Sequence, residues 1–334
     1  MSNPHVLYVL TKLELGGAQK ICLTLLENLP ENNFGTSLMS GSDGVLAEQA
    51  KKHSSTFLLK SFRREISFLG VFSEIKTFFA MISRMRKLKK QHPNLIVHTH
   101  STKAGILGRW AAYFAGVKKR VHTVHGFGFH EYQSKPTWYL HATLEYLTNK
   151  ITTHYVCVSR ADQKIGIRYL PGFEKKSSII RAAVAPGFFP AKKSDLPGVA
   201  SKAKTGAWTF GTVSCLKPQK NIIDLLQAFK LMHDQLPQVD QDKVILQIIG
   251  DGEQREKIEA WLAASNIFFK VDLLGWQGNI ATWMRSWDGF VMSSLWEGLP
   301  CAVIEARLSR LPVVSYKIAG IPEVIEDGKN GFLV

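Results

Sequence analysis

Residues 288–306 read DGFVMSSLWEGLPCAVIEA, and this stretch predicts a buried strand that leads into a helix. DGFVMSS (288–294) is an apolar run with the length of a buried strand. Gly298 suits a tight turn, and Pro300 suits the first turn of a helix, where its missing N–H needs no partner. We therefore expect a helix from about Leu299. A buried strand followed by a short loop and a helix is the repeating unit of parallel α/β sheets.

The same alternation of apolar strands and helical patterns runs through most of the chain. The predicted strands lie at 5–10, 36–40, 55–60, 95–100, 120–125, 155–159, 208–214, 243–250, 271–275, 288–294 and 311–316. Residues 186–207 interrupt this pattern and are rich in Pro, Gly, Lys and Ser, which indicates a domain junction. We predict two Rossmann-like, doubly wound domains, residues 1–190 and 191–334, that face each other across a cleft.

Composition narrows the class of protein. The 334 residues are 45% hydrophobic and 21% charged, which is typical of a globular chain. The N-terminus lacks the basic region and the cleavage site of a signal peptide, and no apolar stretch has the length of a membrane span. Cys22, Cys157, Cys215 and Cys301 show no CxxC spacing, so we expect no disulfide framework, no metal site and a cytoplasmic location.

The net charge of +15 is unevenly distributed. Residues 1–190 contain 26 Lys and Arg against 11 Asp and Glu, whereas residues 191–334 contain 16 of each. This asymmetry suggests that the first domain faces something anionic, for which a membrane surface, a nucleic acid and a phosphorylated substrate are the candidates.

A basic amphipathic helix is predicted within the first domain. Its apolar positions recur at helical spacing, at Ile75, Phe78, Phe79, Ile82, Met85 and Leu88. Such a helix can lie on an anionic bilayer, and it can equally pack its apolar face into the core and leave its basic face solvated. Both arrangements can hold at once. The candidate membrane contacts are Arg84, Arg86, Lys87, Lys89 and Lys90.

The predicted helix start after Gly298 is a candidate anion site. Leu299 is a poor N-cap, so the first amides of the helix, around Cys301 and Ala302, lack a side-chain acceptor. Amides in this position, at the carboxyl end of a parallel strand, bind phosphate groups readily. We expect a ligand phosphate to accept hydrogen bonds there.

Glu297 and Glu305 lie on either side of this helix start. They would repel a phosphate, but each carboxylate can accept hydrogen bonds from two adjacent hydroxyls of a sugar or ribose. A phosphate flanked by two such carboxylates describes a nucleotide-sugar. The alternative is that both glutamates are solvated at a helix start, where the helix dipole favours negative charge.

Two more loops follow strands of the second domain. GTVSCLKPQKN (211–221) places Lys220 at a helix start, where it can form charge-assisted hydrogen bonds with a diphosphate. IIGDGEQ (248–254) places Gly250 after a strand, where glycine permits close backbone approach. Each signal is weak alone, because a single lysine is usually solvated and Gly-rich turns are common.

Taken together, these motifs resemble glycosyltransferase family 4 of the GT-B fold over nearly the whole chain. The E-x7-E pair at Glu297 and Glu305 is the most specific sign. The other matching segments are LELGGAQK (13–20), GTVSCLKPQKN, IGDGE (249–253), LLGW (273–276) and IAGIPEVIEDGKNGFLV (318–334). The resemblance implies a retaining, metal-independent transfer from a UDP- or GDP-linked sugar, with no cofactor besides this substrate.

The resemblance also implies roles for single residues. Glu305 would hold the ribose, Glu297 the hydroxyls of the donor sugar, and Lys220 the diphosphate. His125, at the end of a first-domain strand, would contact the donor sugar near the reacting centre, although a core histidine bonded to the backbone is the alternative. His125, Glu297 and Lys220 are therefore the catalytic candidates. The other donor-binding candidates are Gly16, Gly17, Gly250, Leu274, Trp276, Leu299, Cys301 and Ala302.

The chain departs from the family pattern in three places. Cys215 stands where the family has an arginine, and Lys217 is a candidate to replace that charge. RAAVAPGFF (181–189) replaces the Asn-Gly-(Val/Ile)-Asp motif near the junction. Family members also extend some tens of residues past the position of Val334, into a helix that returns to the first domain, so we expect an incomplete second domain.

The expected function is sugar transfer to a glycan or lipid-linked acceptor in bacterial-type surface polysaccharide assembly, by a peripheral protein on the inner face of the cell membrane. One alternative is another GT-B enzyme, such as a nucleotide-sugar epimerase. A nucleic-acid binder is the other, but no motif combines basic and aromatic residues for that purpose, so we expect no nucleic-acid partner. LELGGAQ is not the G-x-G-x-x-G fingerprint, which disfavours an oxidoreductase.

Overall fold

The computed structural model describes residues 3–53, 55–62, 71–182, 184, 186–189 and 206–334. The chain divides into two compact units, Met1–Ala183 and Val184–Val334. The predicted boundary at residue 190 lies outside the described residues.

The first unit contains a parallel sheet that has seven strands among the described residues. They are β1 (His5–Val9), β2 (Gly35–Gly41), β3 (Ser55–Leu59), β4 (Leu95–His100), β5 (Lys119–Val124), β6 (His154–Cys157) and β7 (Ser177–Ile179). Their order is β3-β2-β1-β4-β5-β6-β7. The direction of winding reverses between β1 and β4, and doubly wound sheets bind their ligands at the carboxyl ends of the strands beside such a point.

Helices cover both faces of this sheet. They are α1 (Gly17–Asn28), α2 (Ala47–His53), α3 (Val71–Gln91), α4 (Thr102–Phe114), α5 (Lys135–Asn149) and α6 (Arg160–Tyr169). One buried cluster packs Met81 and Met85 of α3 against Val9 and Val97 of the sheet. A second cluster packs the apolar side of α1, including Leu23, against the opposite face. The strands are apolar on both sides because both sides are covered.

The second unit repeats the plan with six strands among the described residues. They are β8 (Trp208–Val213), β9 (Val244–Ile249), β10 (Lys270–Gly275), β11 (Gly289–Met292), β12 (Val313–Ser315) and β13 (Gly331–Leu333), in the order β10-β9-β8-β11-β12-β13. The helices are α7 (Ile222–Gln235), α8 (Gln238–Gln241), α9 (Arg255–Ala264), α10 (Ile280–Ser286) and α11 (Cys301–Leu308). The winding reverses between β8 and β11, so the loops after these two strands are neighbours. The predicted pair of Rossmann-like domains is confirmed.

Two predicted helix starts were wrong by a few residues. The helix expected from Leu299 begins at Cys301, because Pro300 has extended backbone angles (φ −69°, ψ 121°) and is the N-cap. Lys220 lies in a short 3-10 turn, Pro218–Lys220, that ends before α7. The left-handed Asn221 (φ 50°) separates this turn from the helix.

Candidate functional site

The loops that follow β8 and β11 are bound tightly to each other. The Leu295 amide donates to the Gln219 carbonyl (2.8 Å), and Gln219 Nε2 donates to the Trp296 carbonyl (2.6 Å). Ser293 Oγ lies 2.8 Å from the Lys220 carbonyl, to which it donates. These contacts fix the backbone on both sides of the Lys220 side chain. Sequence reasoning missed Gln219 and Ser293, because their partners lie more than 70 residues away along the chain.

Two of the predicted catalytic residues touch each other at this junction. The Lys220 ammonium forms an ion pair with the Glu297 carboxylate, and the two side chains are only 18% and 10% exposed. An ammonium carries three hydrogens, so Lys220 can keep Glu297 and still donate to a phosphate. The ion pair thus places a cationic donor beside a carboxylate, with hydrogens left for the phosphate that the sequence predicts.

The start of α11 lies directly after Glu297 and carries no side-chain cap. The Val303 amide donates to the Pro300 carbonyl (3.1 Å), which closes the first turn. The helix dipole then places partial positive charge at Cys301 and Ala302, as expected for a phosphate site. Leu299, which precedes the cap, is 6% exposed and belongs to the buried part of the loop.

Glu305 lies on the buried side of α11. It is 4% exposed, and Val303 and Ala306 of the same helix are fully buried. The alternative that Glu297 and Glu305 are both solvated carboxylates is therefore wrong. A buried carboxylate needs a partner, and the predicted contact of Glu305 with a ribose stays a prediction.

Gly250 is required by the protein backbone itself. Its φ of +131° belongs to the region that favours glycine, and a Cβ there would lie 1.9 Å from the Ser214 carbonyl oxygen. Its amide donates to the Gly275 carbonyl (2.8 Å). The backbone of Gly250 thus closely approaches Ser214, in the loop after β8. The predicted contact of Gly250 with a donor stays a prediction.

The remaining candidates of the second unit follow the carboxyl ends of β10 and β8. The Leu274 carbonyl at the end of β10 accepts a hydrogen bond from Gln277 Nε2 (2.7 Å), and Trp276 is 41% exposed. Cys215, the residue in the family's arginine position, is half-buried, and its carbonyl accepts from the Lys217 amide (2.8 Å). Cys215 and Lys217 therefore belong to the same loop as Lys220.

In the first unit, the predicted glycine loop forms the start of α1. Gly16 is the N-cap and Gly17 the first helical residue, and no side chain caps this helix or places a carboxylate in its first turn. The Gly16 carbonyl accepts from the Lys20 amide (3.0 Å). An uncapped helix start after β1 has the local geometry that an anion site needs, and a role toward a donor stays a prediction.

His125 follows β5 and is bonded to another histidine. Its Nε2 lies 3.0 Å from Nδ1 of His100, the last residue of β4. Burial lowers the pKa of His125 to about 4 and holds the pKa of His100 well below its usual range. Both rings are therefore neutral at pH 7. The alternative of a core histidine bonded to the backbone is not what the structure shows.

The apolar side chains of α3 divide between the core and the exposed surface, and the membrane contact stays a prediction. Met81, Met85 and Leu88 are buried in the core, whereas Phe72, Ile75 and Phe79 are 82%, 48% and 64% exposed. The second half of the exposed face forms a groove of about 410 Å³, lined by Phe79, Ile82, Ser83, Arg86, Lys87 and Lys90.

Three of the five predicted basic contacts also touch other groups of the first unit. The Arg84 guanidinium lies over the Phe57 ring at 4.5 Å, Arg86 Nη2 donates to the Phe114 carbonyl (3.2 Å), and the Lys89 ammonium lies beside Gly116. In the part of the chain that the structure describes, none of the helices has the length and apolar character to cross a membrane. Within the same part, His, Cys, Asp and Glu side chains form no group of three suited to hold a metal ion.

Two protein-family models match the chain. The model described as Glycosyltransferase Family 4 matches residues 15–186, and the model described as Glycosyl transferases group 1 matches residues 199–334. Together they cover both units.

Three individual proteins are similar to this chain in sequence or in structure. The UDP-Gal:alpha-D-GlcNAc-diphosphoundecaprenol alpha-1,3-galactosyltransferase of Escherichia coli is 34% identical over 96% of this chain and 81% of its own length. The putative glycosyltransferase EpsD of Bacillus subtilis is 25% identical over 76% of this chain and 67% of its own. HepE from Anabaena, solved in complex with UDP-glucose, has the same fold, with a TM-score of 0.76 at 20% identity over 99% of this chain and 85% of that one.

Proposed function

This chain belongs to glycosyltransferase family 4, and we propose that it transfers a hexose from a UDP-linked sugar to a lipid-linked acceptor with retention of configuration. The observation that carries the proposal is the ion pair of Lys220 and Glu297, placed directly before the uncapped start of α11, with Glu305 buried in that helix. This arrangement offers donors for a diphosphate and carboxylates for two sets of hydroxyls.

Two relatives support the choice of substrates. The similar protein of Escherichia coli is named for a UDP-galactose donor and a diphosphoundecaprenol acceptor. HepE, which shares the fold, was solved with UDP-glucose. We propose UDP-galactose as the first donor to test and a GlcNAc-diphospholipid as the first acceptor, in the assembly of a surface polysaccharide. GDP-linked donors and other glycan acceptors are the second choice.

The proposed chemistry uses positioning and electrostatics. Departure of the nucleoside diphosphate builds negative charge on its outer phosphate. Lys220 and the amides at Cys301 and Ala302 would stabilise that charge, and preorganised donors of this kind are often the largest catalytic contribution. Glu297 would orient the donor sugar, and Glu305 would hold the ribose. The departing phosphate would accept the acceptor's proton on the same face of the sugar, with neither a metal ion nor a further cofactor.

A nucleotide panel tests the donor site first. We expect UDP to raise the melting temperature of the full chain, because a ligand that binds only the folded state stabilises it by mass action. GDP, ADP, CMP and NAD should give smaller shifts. Glu305→Gln should reduce the UDP shift, whereas Glu259→Gln, on the solvent-exposed side of α9, should leave it unchanged. Equal shifts for all five nucleotides, or an unaffected Glu305→Gln variant, would contradict the proposed donor site.

Product analysis tests the transfer itself. UDP-galactose and a GlcNAc-diphospholipid should give a disaccharide lipid whose new anomeric bond has the configuration of the donor. An epimerised nucleotide-sugar formed without any acceptor would instead identify an epimerase. An inverted anomeric bond would contradict the retaining mechanism.

We further propose that α3 holds the protein against an anionic membrane from the cytoplasmic side. Successive residues of a helix are rotated by about 100°, so Phe72, Ile75, Phe79, Arg86 and Lys90 fall on one stripe. The apolar half of this stripe is solvent-exposed, and the basic half follows it. Apolar side chains can enter the headgroup region while the basic ones attract anionic lipids. A lipid-linked acceptor lies in such a membrane.

Charge removal on α3 should release the protein from liposomes. Each basic residue near an anionic surface contributes about 1 kcal/mol, so replacing Arg86, Lys87 and Lys90 by Gln should lower the partition coefficient by about 100-fold. Sedimentation with phosphatidylglycerol vesicles measures it. Replacement of the exposed Lys51, Lys52 and Lys164 by Gln removes the same charge from α2 and α6 of the first unit. If that control loses binding equally, net charge and not the α3 stripe is responsible.

A further inference from the structure

We propose that His100 is a positioning residue for the transfer: its Nδ1–H donates to Nε2 of His125, which fixes the tautomer of His125 and the direction of its one remaining N–H. The proposal rests on the proposed function and on the prediction from the family resemblance that His125 contacts the donor sugar. The two nitrogens lie 3.0 Å apart, and the rings are nearly parallel, with centroids 5.3 Å apart.

His100 has no freedom to turn away from this contact. It is fully buried at the end of β4, and the His98 ring stacks on it at 4.6 Å while the Tyr8 ring lies at 5.9 Å. Nε2 of His98 is hydrogen-bonded to Thr123 Oγ1 at 2.7 Å, which fixes the ring that stacks on His100. His100 is thus held by its packing, as a group that orients a neighbour must be.

The second nitrogen of His100 decides which ring donates. Two neutral imidazoles share one proton in their hydrogen bond. If His125 were the donor, His100 would carry its own proton on Nε2, which is buried and has no hydrogen-bond partner among the described residues. An orphaned buried N–H is rarer and more costly than an under-used acceptor. The favoured arrangement therefore has the proton on Nδ1 of His100, directed at His125.

This tautomer leaves His125 with one hydrogen-bonding role toward a ligand. With Nε2 engaged as an acceptor, His125 carries its proton on Nδ1 and can only donate to a ligand. It can give a hydrogen bond to a hydroxyl or a phosphate oxygen, but it has no free nitrogen to accept a proton from the acceptor substrate. His125 then orients the donor and is not the general base.

Long-range ¹H–¹⁵N NMR of the intact protein measures the tautomer directly. The His125 resonances are identified by their loss in His125→Asn. We expect a protonated Nδ1 and an unprotonated Nε2 in the wild-type protein at pH 7.5. The reverse pattern would overturn the proposal. This readout does not depend on activity, so it stands even if no nucleotide-sugar is turned over, which would count against the proposed function alone.

Kinetics of two variants then test the positioning. The amide of His100→Asn can occupy the place of Nδ1 and donate to His125, whereas His100→Leu cannot. We expect His100→Leu to lower kcat by about 10- to 100-fold with the donor KM within about twofold, and His100→Asn to recover most of this loss. His154→Leu, which removes the histidine that begins β6 and is bonded to Ser178, is the control and should keep kcat. Equal losses in both His100 variants, or none in His100→Leu, would overturn the proposal.

Discussion

Lys220→Met should lower kcat by about 100- to 1,000-fold, the loss typical of removing one preorganised donor from a developing negative charge. It should also weaken binding of free UDP by about 10- to 100-fold, because a charge-assisted hydrogen bond contributes about 1.5–3 kcal/mol. Steady-state transfer assays and calorimetric titration of UDP measure the two effects. Lys257→Met, at an exposed position on α9 of the same unit, is the matched control.

The ion pair makes a further outcome testable. Glu297→Gln removes the carboxylate that holds Lys220, so UDP affinity should stay unchanged or rise while kcat falls. The double variant should lose little more activity than Lys220→Met alone, since residues that act as a unit are not additive. If Glu297→Gln weakened UDP binding as much as Lys220→Met does, the two side chains would share one role in phosphate binding, and the assignment of Glu297 to the sugar would be wrong.

Much of the fold could be predicted because long apolar strands and amphipathic helices have clear periods. The predicted strand at 95–100 matches β4, and the predicted strand at 271–275 lies within β10. Two strands were missed, β7 (Ser177–Ile179) and β13 (Gly331–Leu333). Each has three residues at a sheet edge, which is too short for a period to show. Their position is determined by pairing with β6 and β12, which local sequence does not contain.

The residues of the candidate site could be predicted from the sequence, but the contacts between their side chains could not. Glu297, Glu305 and Lys220 stand out as charges beside apolar strands, so the sequence points to them. The contact of Lys220 with Glu297 depends on β8 and β11 being neighbours, which is a property of the winding order. The histidine pair was missed for the same reason. β4 and β5 both end near a histidine, and only their parallel register brings His100 to His125.

Mild acid should destabilise the first unit strongly. Burial lowers the pKa of His5 to about 4 and of His98 to about 3, and it holds the pKa of His122 well below its usual range. His100 and His125 show the same direction of shift. An unfolded chain binds these protons near pH 6.5, whereas the folded chain does not. The stabilising contribution is therefore complete above about pH 6.5 and is lost as the pH falls toward the folded values.

The expected slope is large because several histidines act together. Each contributes about 1.4 kcal/mol per pH unit, so even two that stay neutral give about 3 kcal/mol per unit below pH 6. Denaturant unfolding of the full chain from pH 7.5 to 5 measures the slope, and His5→Asn should flatten it. The second unit is an internal control, because ten of the eleven histidines precede residue 184. Hydrogen exchange, corrected for its intrinsic pH dependence, should lose protection in residues 3–182 before residues 206–334. Simultaneous loss in both segments would show that these buried histidines do not set the acid limit.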